Sequence, residues 1–120
     1  MLMDLNEIMQ QKNFVVVGDT VRTTKYAAKI KNGLLEKGYT VASVGKELKS
    51  INDVAFDIDI IDLCINANEG LRLLKENKKK FKCIVIQPGA DNDELLSWLN
   101  EQQIPYIQGC LLLGLAAYHS

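Results

Sequence analysis

Phe14-Val15-Val16-Val17-Gly18-Asp19-Thr20 is the stretch on which the fold turns. Four apolar residues, three of them β-branched, stand between polar Lys12-Asn13 and Gly18. A short run with no polar break reads as a strand buried on both faces. From Thr20 to Gly38 the period becomes helical, with Ala27, Ile30 and Leu34 on one face and Gly38 as the C-terminal cap. Strand, tight glycine turn and helix make the first unit of a doubly wound α/β fold. Ligands of such folds bind beyond the carboxyl ends of the strands, so the chemistry is expected first at Gly18 to Thr24.

Working outward, residues 4–11 read as a short helix with Asp4 and Glu7 in a capping-box pattern and Leu5, Ile8 and Met9 on one face. Further strands are expected over 39–44, 58–65, 83–86 and 105–108, with a polar loop over 45–54 that has room for one helical turn. Asn68 is the expected cap of a helix with Glu69 in its first turn and Lys78-Lys79-Lys80 in its last, a charge order that suits the helix dipole. Asp91 or Asn92 starts another helix carrying Leu95, Leu96 and Leu99, and Gly109 to Ser120 is an apolar tail. Strands alternating with helices over short connections require parallel pairing and right-handed crossovers. The expectation is a Rossmann-like three-layer sandwich with a parallel five-stranded sheet in the order 3-2-1-4-5, formed as one domain over residues 1–120.

Composition narrows the function classes. A net charge of −1 gives no global electrostatic reason to bind nucleic acid. No apolar run approaches a membrane span, and Met1 to Glu7 has two acids and no base, unlike a secretory signal. A cytoplasmic protein is expected. The three cysteines, Cys64, Cys83 and Cys110, have wide, irregular spacing, and His119 is the one histidine. Neither a four-ligand zinc site nor a Ser-His-Asp or Cys-His set can be assembled from these. Cys64 and Cys83 lie in apolar runs, where a free thiol behaves as a small hydrophobe.

Three segments are candidate ligand contacts. The first loop has one glycine where a dinucleotide fingerprint has three. Gly18 and Asp19 are followed by the hydroxyls of Thr20, Thr23 and Thr24, the Arg22 guanidinium, Lys25 and a helix start. Donors and positive charge at a helix N-terminus suit a phosphate; a helix cap among solvated polar residues is the plain alternative. After the second strand, where NAD-binding folds carry an acid for the ribose hydroxyls, this chain has Ser43-Val44-Gly45-Lys46 with Glu47 beside it. Lys46 suits a ribose phosphorylated at the 2′ or 3′ position, or is an ordinary surface lysine. After strands three and four come Asn66-Ala67-Asn68 and Gln87-Pro88-Gly89-Ala90. Their amides can bond adenine edges or amide groups, and they also read as a helix cap and a Pro-Gly turn. Asp57 and Asp59 share one strand face and Asp62 the other, which argues against a metal cluster. The lysine run reads as a solvated helix end and Trp98 as core or interface.

The chain resembles the small stand-alone CoA-binding domain proteins, relatives of the nucleotide-binding domain that begins the succinyl-CoA synthetase α-subunit. The resemblance rests on Val15-Val16-Val17-Gly18 with Thr20, Gly38-Tyr39-Thr40-Val41, Ile58-Asp59-Ile60-Ile61-Asp62 and, most specifically, Val85-Ile86-Gln87-Pro88-Gly89-Ala90 leading to Cys110. It implies that Gly18, Asp19 and Thr20 cradle the CoA diphosphate and that Ser43 and Lys46 meet the ribose and its phosphate. It also implies that Asn66, Ala67, Gln87, Pro88 and Gly89 flank the adenine and pantetheine. An asparagine-proline pair usual in the family after strand two is replaced here by Val44-Gly45-Lys46.

The expected function is therefore non-catalytic binding of CoA or acyl-CoA, a small-molecule nucleotide ligand, with nothing in the sequence that directly signals turnover. One rival is an interaction or dimerisation module on the same fold, with Leu111-Leu112-Leu113-Gly114-Leu115 as homodimer or partner surface. The other is an NADP-binding redox protein, disfavoured by the missing second glycine and the lack of a proton donor.

Overall fold

The apolar run becomes β1 (Asn13–Gly18) of a five-stranded parallel sheet in the computed structural model, which describes residues 3–118. The other strands are β2 (Thr40–Gly45), β3 (Ile60–Cys64), β4 (Cys83–Ile86) and β5 (Tyr106–Gln108). Five helices accompany them: α1 (Leu5–Met9), α2 (Tyr26–Glu36), α3 (Ala67–Glu76), α4 (Asp93–Glu101) and α5 (Leu111–Tyr118). A single 3₁₀ turn covers Ile51–Asp53, inside the connection from β2 to β3. His119, set aside above as a catalytic residue, lies outside the described residues.

The class is the expected Rossmann-like α/β fold, but the strand order is β2-β1-β3-β4-β5 rather than 3-2-1-4-5. Burial explains the correction. Four of five β3 residues are fully buried, as a strand with neighbours on both sides requires. Thr40 and Gly45, at the ends of β2, are exposed and only Ser43 and Val44 are buried, as suits an edge. The chain thus runs from β1 outward to β2 and returns across β1 to β3. The switch point falls between β1 and β3, where Gly18 is level with Cys64.

Alternation along the strands divides the core between two faces. Val15, Val17, Ile61, Leu63, Ile84 and Ile86 pack with Leu71, Leu74, Leu95 and Leu99 from α3 and α4. Phe14, Val16, Ile60, Cys83 and Val85 pack with residues of α1, α2 and α5. The apolar tail is the surprise of this layer. It forms α5, burying Leu111 and Leu115 in the same core, with Gly114 against Met9 and Gly33 against Leu115. Only Leu113 of the leucine run is strongly exposed.

Local chemistry sets the helix ends. Asp19 Oδ1 accepts from the amides of Val21 and Arg22, folding the loop into a turn. Consequently α2 starts at Tyr26 rather than near Thr20. It closes on Gly38 at φ 87°, with Tyr39 N–H to the Leu34 carbonyl and Gly38 N–H to the Leu35 carbonyl, a Schellman pattern. The α3 cap is Asn66, whose Oδ1 accepts from Glu69 N–H at 3.0 Å; Asn68, the expected cap, is already inside the helix. The lysine run lies beyond the end of α3, and Lys79 Nζ donates to the carbonyls of Val54 and Phe56. That lysine ties down the β2–β3 connection and is not merely solvated.

Candidate functional site

A cleft of about 1020 Å³ opens at the carboxyl ends of β1, β2, β3 and β4. Its floor begins where three strands end side by side. A Cβ on Gly18 would stand 2.5 Å from the Cys64 carbonyl oxygen, and one on Gly45 would stand 2.8 Å from the Gly18 carbonyl oxygen. Side chains are excluded there, and the cleft reaches down to backbone.

One wall is cationic. Arg22, Lys25, Lys46 and Lys49 come to it with Asp19 from the ends of β1 and β2, while Arg72 and Glu69 enter the cleft together from α3, in a chain whose net charge is −1. Both acids are engaged. Arg22 Nε donates to Asp19 Oδ2 at 2.7 Å, and this bond, with the Arg22 amide, holds the Asp19 carboxyl below its ordinary range. Arg72 pairs with Glu69 at 2.9 Å and lowers that carboxyl in the same way. Lys25, Lys46 and Lys49 form no ion pair among the described residues. Glu47, the acid nearest Lys46 in sequence, is held by Lys31 Nζ at 2.6 Å and the Thr20 hydroxyl at 3.1 Å, and it lies outside the lining.

The cleft also receives an uncapped helix. Side-chain oxygens cap α1, α3 and α4, whereas α2 begins after Lys25 with no side-chain cap. Its first-turn amides and positive dipole end therefore lie beside the unpaired lysines, in a geometry suited to anions.

The opposite wall is mostly neutral. Cys64, Ile65, Leu73, Pro88, Gly89, Ala90 and Cys110 line it with the amides of Asn66 and Gln87. Gln87 to Ala90 is a turn closed by Ala90 N–H to the Gln87 carbonyl, with Gly89 at φ 88° as a type II turn demands. Cys64 is a poor nucleophile, since burial first, then the charges of Asp62 and Cys110, push its thiol up to about 12.

Of the candidates named from sequence, Gly18, Asp19, Arg22, Lys46, Asn66, Gln87, Pro88 and Gly89 line this cleft. Thr20 is turned away onto Glu47, and Thr23 and Thr24 are exposed outside the lining. Ser43 is buried within β2 with its hydroxyl unpartnered among the described residues, and Ala67, the first residue of α3, belongs to the core. Lys49, Arg72, Tyr26 and Cys64 were not anticipated. Lys49 is carried in by the tight turn after β2, closed by Gly45 N–H to the Leu48 carbonyl. Arg72 was hidden by the strand order, because it reaches the cleft only if β3 adjoins β1. Of the three aspartates, Asp59 accepts from the Lys12 and Asn13 amides, and Asp62 is fully buried on β3.

A parallel five-stranded sheet flanked by helices, with a cationic, glycine-floored cleft at its switch point, defines a Rossmann-like α/β domain. The chain belongs to the CoA binding domain family, which matches residues 12–116. A conserved hypothetical protein from Pyrococcus furiosus superposes with a TM-score of 0.78 at 26% identity, over 86% of this chain and 98% of that one. A hypothetical protein from Pyrococcus horikoshii OT3 gives 0.86 at 21% identity, covering 96% of this chain and 89% of its own. A protein from Thermus thermophilus gives 0.74 at 22%, covering 93% and 96% respectively. The last two likenesses speak to the fold alone. No protein of curated function matches the sequence.

Proposed function

We propose that this domain binds CoA or an acyl-CoA and performs no chemistry on it, as a cytoplasmic protein. The observation that carries the reading is the difference between the two walls of one cleft, within a family of CoA binding domains. A ligand that matches both walls is polyanionic at one end and neutral with amide groups at the other. CoA has that form, with a diphosphate and a ribose phosphate joined to a pantetheine arm.

In this reading the diphosphate meets the first-turn amides of α2 and the Lys25 ammonium. Gly18 lets it approach the backbone closely, and the outer guanidinium nitrogens of Arg22 remain to donate while Nε holds Asp19. Lys46 and Lys49 receive the ribose phosphate. The arm runs along Ile65, Leu73 and the Pro88-Gly89 turn, where Asn66 Nδ2 and Gln87 Oε1 remain available for hydrogen bonds. The absence of chemistry is supported by the high pKa of the Cys64 thiol and by the engagement of both lining carboxylates in ion pairs. No helix of the described residues is long and apolar enough to cross a membrane.

Calorimetric titration with CoA, dephospho-CoA and NADP tests the reading. Micromolar CoA binding that weakens when the 3′-phosphate is missing is the expected result. No binding of any of the three overturns it and favours an interaction or dimerisation module on the same fold. Tighter binding of NADP than of CoA would instead point to a redox role.

A further inference from the structure

One group under the cleft has no part in the reading above. Asp62 is fully buried on β3, and Gln87 Nε2 donates to its Oδ1 at 2.7 Å. Its Oδ2 has no partner among the described residues. Gln87 is itself only 5% exposed, yet it lines the cleft. With its NH₂ end held by Asp62, the free end of the amide is the carbonyl oxygen, on a residue that lines the cleft.

We propose that Asp62 is a positioning residue that selects which end of the Gln87 amide faces the ligand. Ionised, Asp62 accepts only, so the NH₂ group stays turned down and the cleft presents a carbonyl acceptor. Protonated, Asp62 donates to that carbonyl, the amide turns over, and the cleft presents an NH₂ donor. The proton passes between the carboxyl and solvent, and no other group changes state. A ligand with an amide N–H at this point binds the ionised form, and one with a carbonyl there binds the protonated form. The inference rests on the CoA reading only for the ligand, in which a pantetheine amide N–H meets Gln87.

The surroundings favour such a device. The residues that α1, α2 and α5 pack over this face are Ile8, Met9, Ala27, Ile30, Leu34, Leu111 and Leu115, all apolar. The ionisable groups that share this face of the strands are thiols: Cys64 two residues along β3, itself beside Cys110, and Cys83 on β4 opposite Ile60. No charged side chain of the described residues is buried with it. Desolvation therefore governs its proton, raising the carboxyl to about 7, while the Gln87 hydrogen bond works weakly the other way.

The test has one arm without ligand and one with CoA. In the free wild-type protein, the side-chain amide resonances of Gln87 are followed by NMR from pH 5.5 to 8.5. They are expected to shift with a midpoint near 7. In the second arm CoA is titrated at pH 6 and pH 8 into wild type and Asp62→Asn, which keeps the acceptor and abolishes the proton. With about one molecule in ten ionised at pH 6 and nine in ten at pH 8, wild-type Kd is expected to fall about tenfold across this interval. The phosphate of CoA also titrates in this range, and the variant retains that contribution alone. Amide resonances that do not move, or an equal pH ratio in both proteins, would overturn the proposal. Resonances that titrate without CoA binding at either pH would uphold the Asp62–Gln87 device and overturn the CoA reading instead.

Discussion

Replacing Asp62 with asparagine should change how the stability of this protein depends on pH, in a direction opposite to that of most buried acid pairs. The Asp62 carboxyl titrates at about 7 in the fold, against an ordinary value of 3.8. Between those values the folded chain holds a proton that the unfolded chain has released. The stabilisation from this group is fully present below 3.8 and is lost as pH rises through about 7. Across that interval, at 1.36 kcal/mol per pH step, the loss reaches roughly 4 kcal/mol. The amide of the Asp62→Asn variant would have no proton to lose and would keep the acceptor for Gln87. Urea unfolding of both proteins from pH 4.5 to 8.5, followed by fluorescence of the single tryptophan Trp98, gives the difference directly. The variant should gain on wild type steadily up to pH 7 and hold a constant advantage above it. Carboxylates such as Asp59 and Glu47, whose pKa values are lowered, contribute stability that disappears in acid, and they cancel in the comparison. A difference that is flat with pH would refute the reasoning, since it would mean that Asp62 ionises inside the fold at no cost.

Other changes probe the floor, the cationic wall and the connection beside it. Lys46→Ala with Lys49→Ala should weaken CoA binding by roughly 3 kcal/mol, at about 1.5 per charge-assisted contact, close to a hundredfold in Kd. The exposed Lys80→Ala serves as the unaffected control, and equal effects would remove the ribose phosphate from this end of the cleft. Gly18→Ala should lower stability by about 1–3 kcal/mol through overpacking, because the new methyl would meet the Cys64 carbonyl at 2.5 Å; an unchanged melting temperature would show that the strand tops can separate. Lys79→Ala should cost about 1–3 kcal/mol in chemical denaturation without altering CoA affinity, because its two hydrogen bonds hold the carbonyls of Val54 and Phe56.

The elements were legible wherever one physical signal acted alone. Val15 to Val17 and Ile84 to Ile86 are buried on both faces, so an unbroken apolar run marks them as strands. The Asp4–Glu7 capping box forms as the spacing predicts, and Gly38 closes α2. The start of α2 was misplaced because Asp19 competes for the amides of Val21 and Arg22, a bond that helical periodicity does not register. The apolar tail was unreadable for a different reason. A helix apolar all round has no stripe to reveal its period, and α5 is covered by residues far away in sequence, Leu5, Met9 and Gly33.

The site was legible one loop at a time and not as an assembly, because the assembly depends on strand order. Had β3 lain at the outer edge, Asn66 and Arg72 would have stood two strands from Gly18. The nearly continuous apolar run of Ile60 to Cys64 already carried the contrary signal, since an edge strand needs no such burial. With β3 beside β1, the Cys64 carbonyl comes against Gly18 and Asp62 sinks beneath the turn at Gln87. The pairing of β1 with β2, common to the expected and the observed order, explains why the Thr20 hydroxyl fails to reach the cleft. Thr20 turns toward β2 and meets Glu47, which leaves Lys46 free of its neighbouring acid. The placement of β3 next to β1 thus brings Asn66 and Arg72 to the cleft at Gly18 and sets the buried carboxyl of Asp62 behind the Gln87 turn.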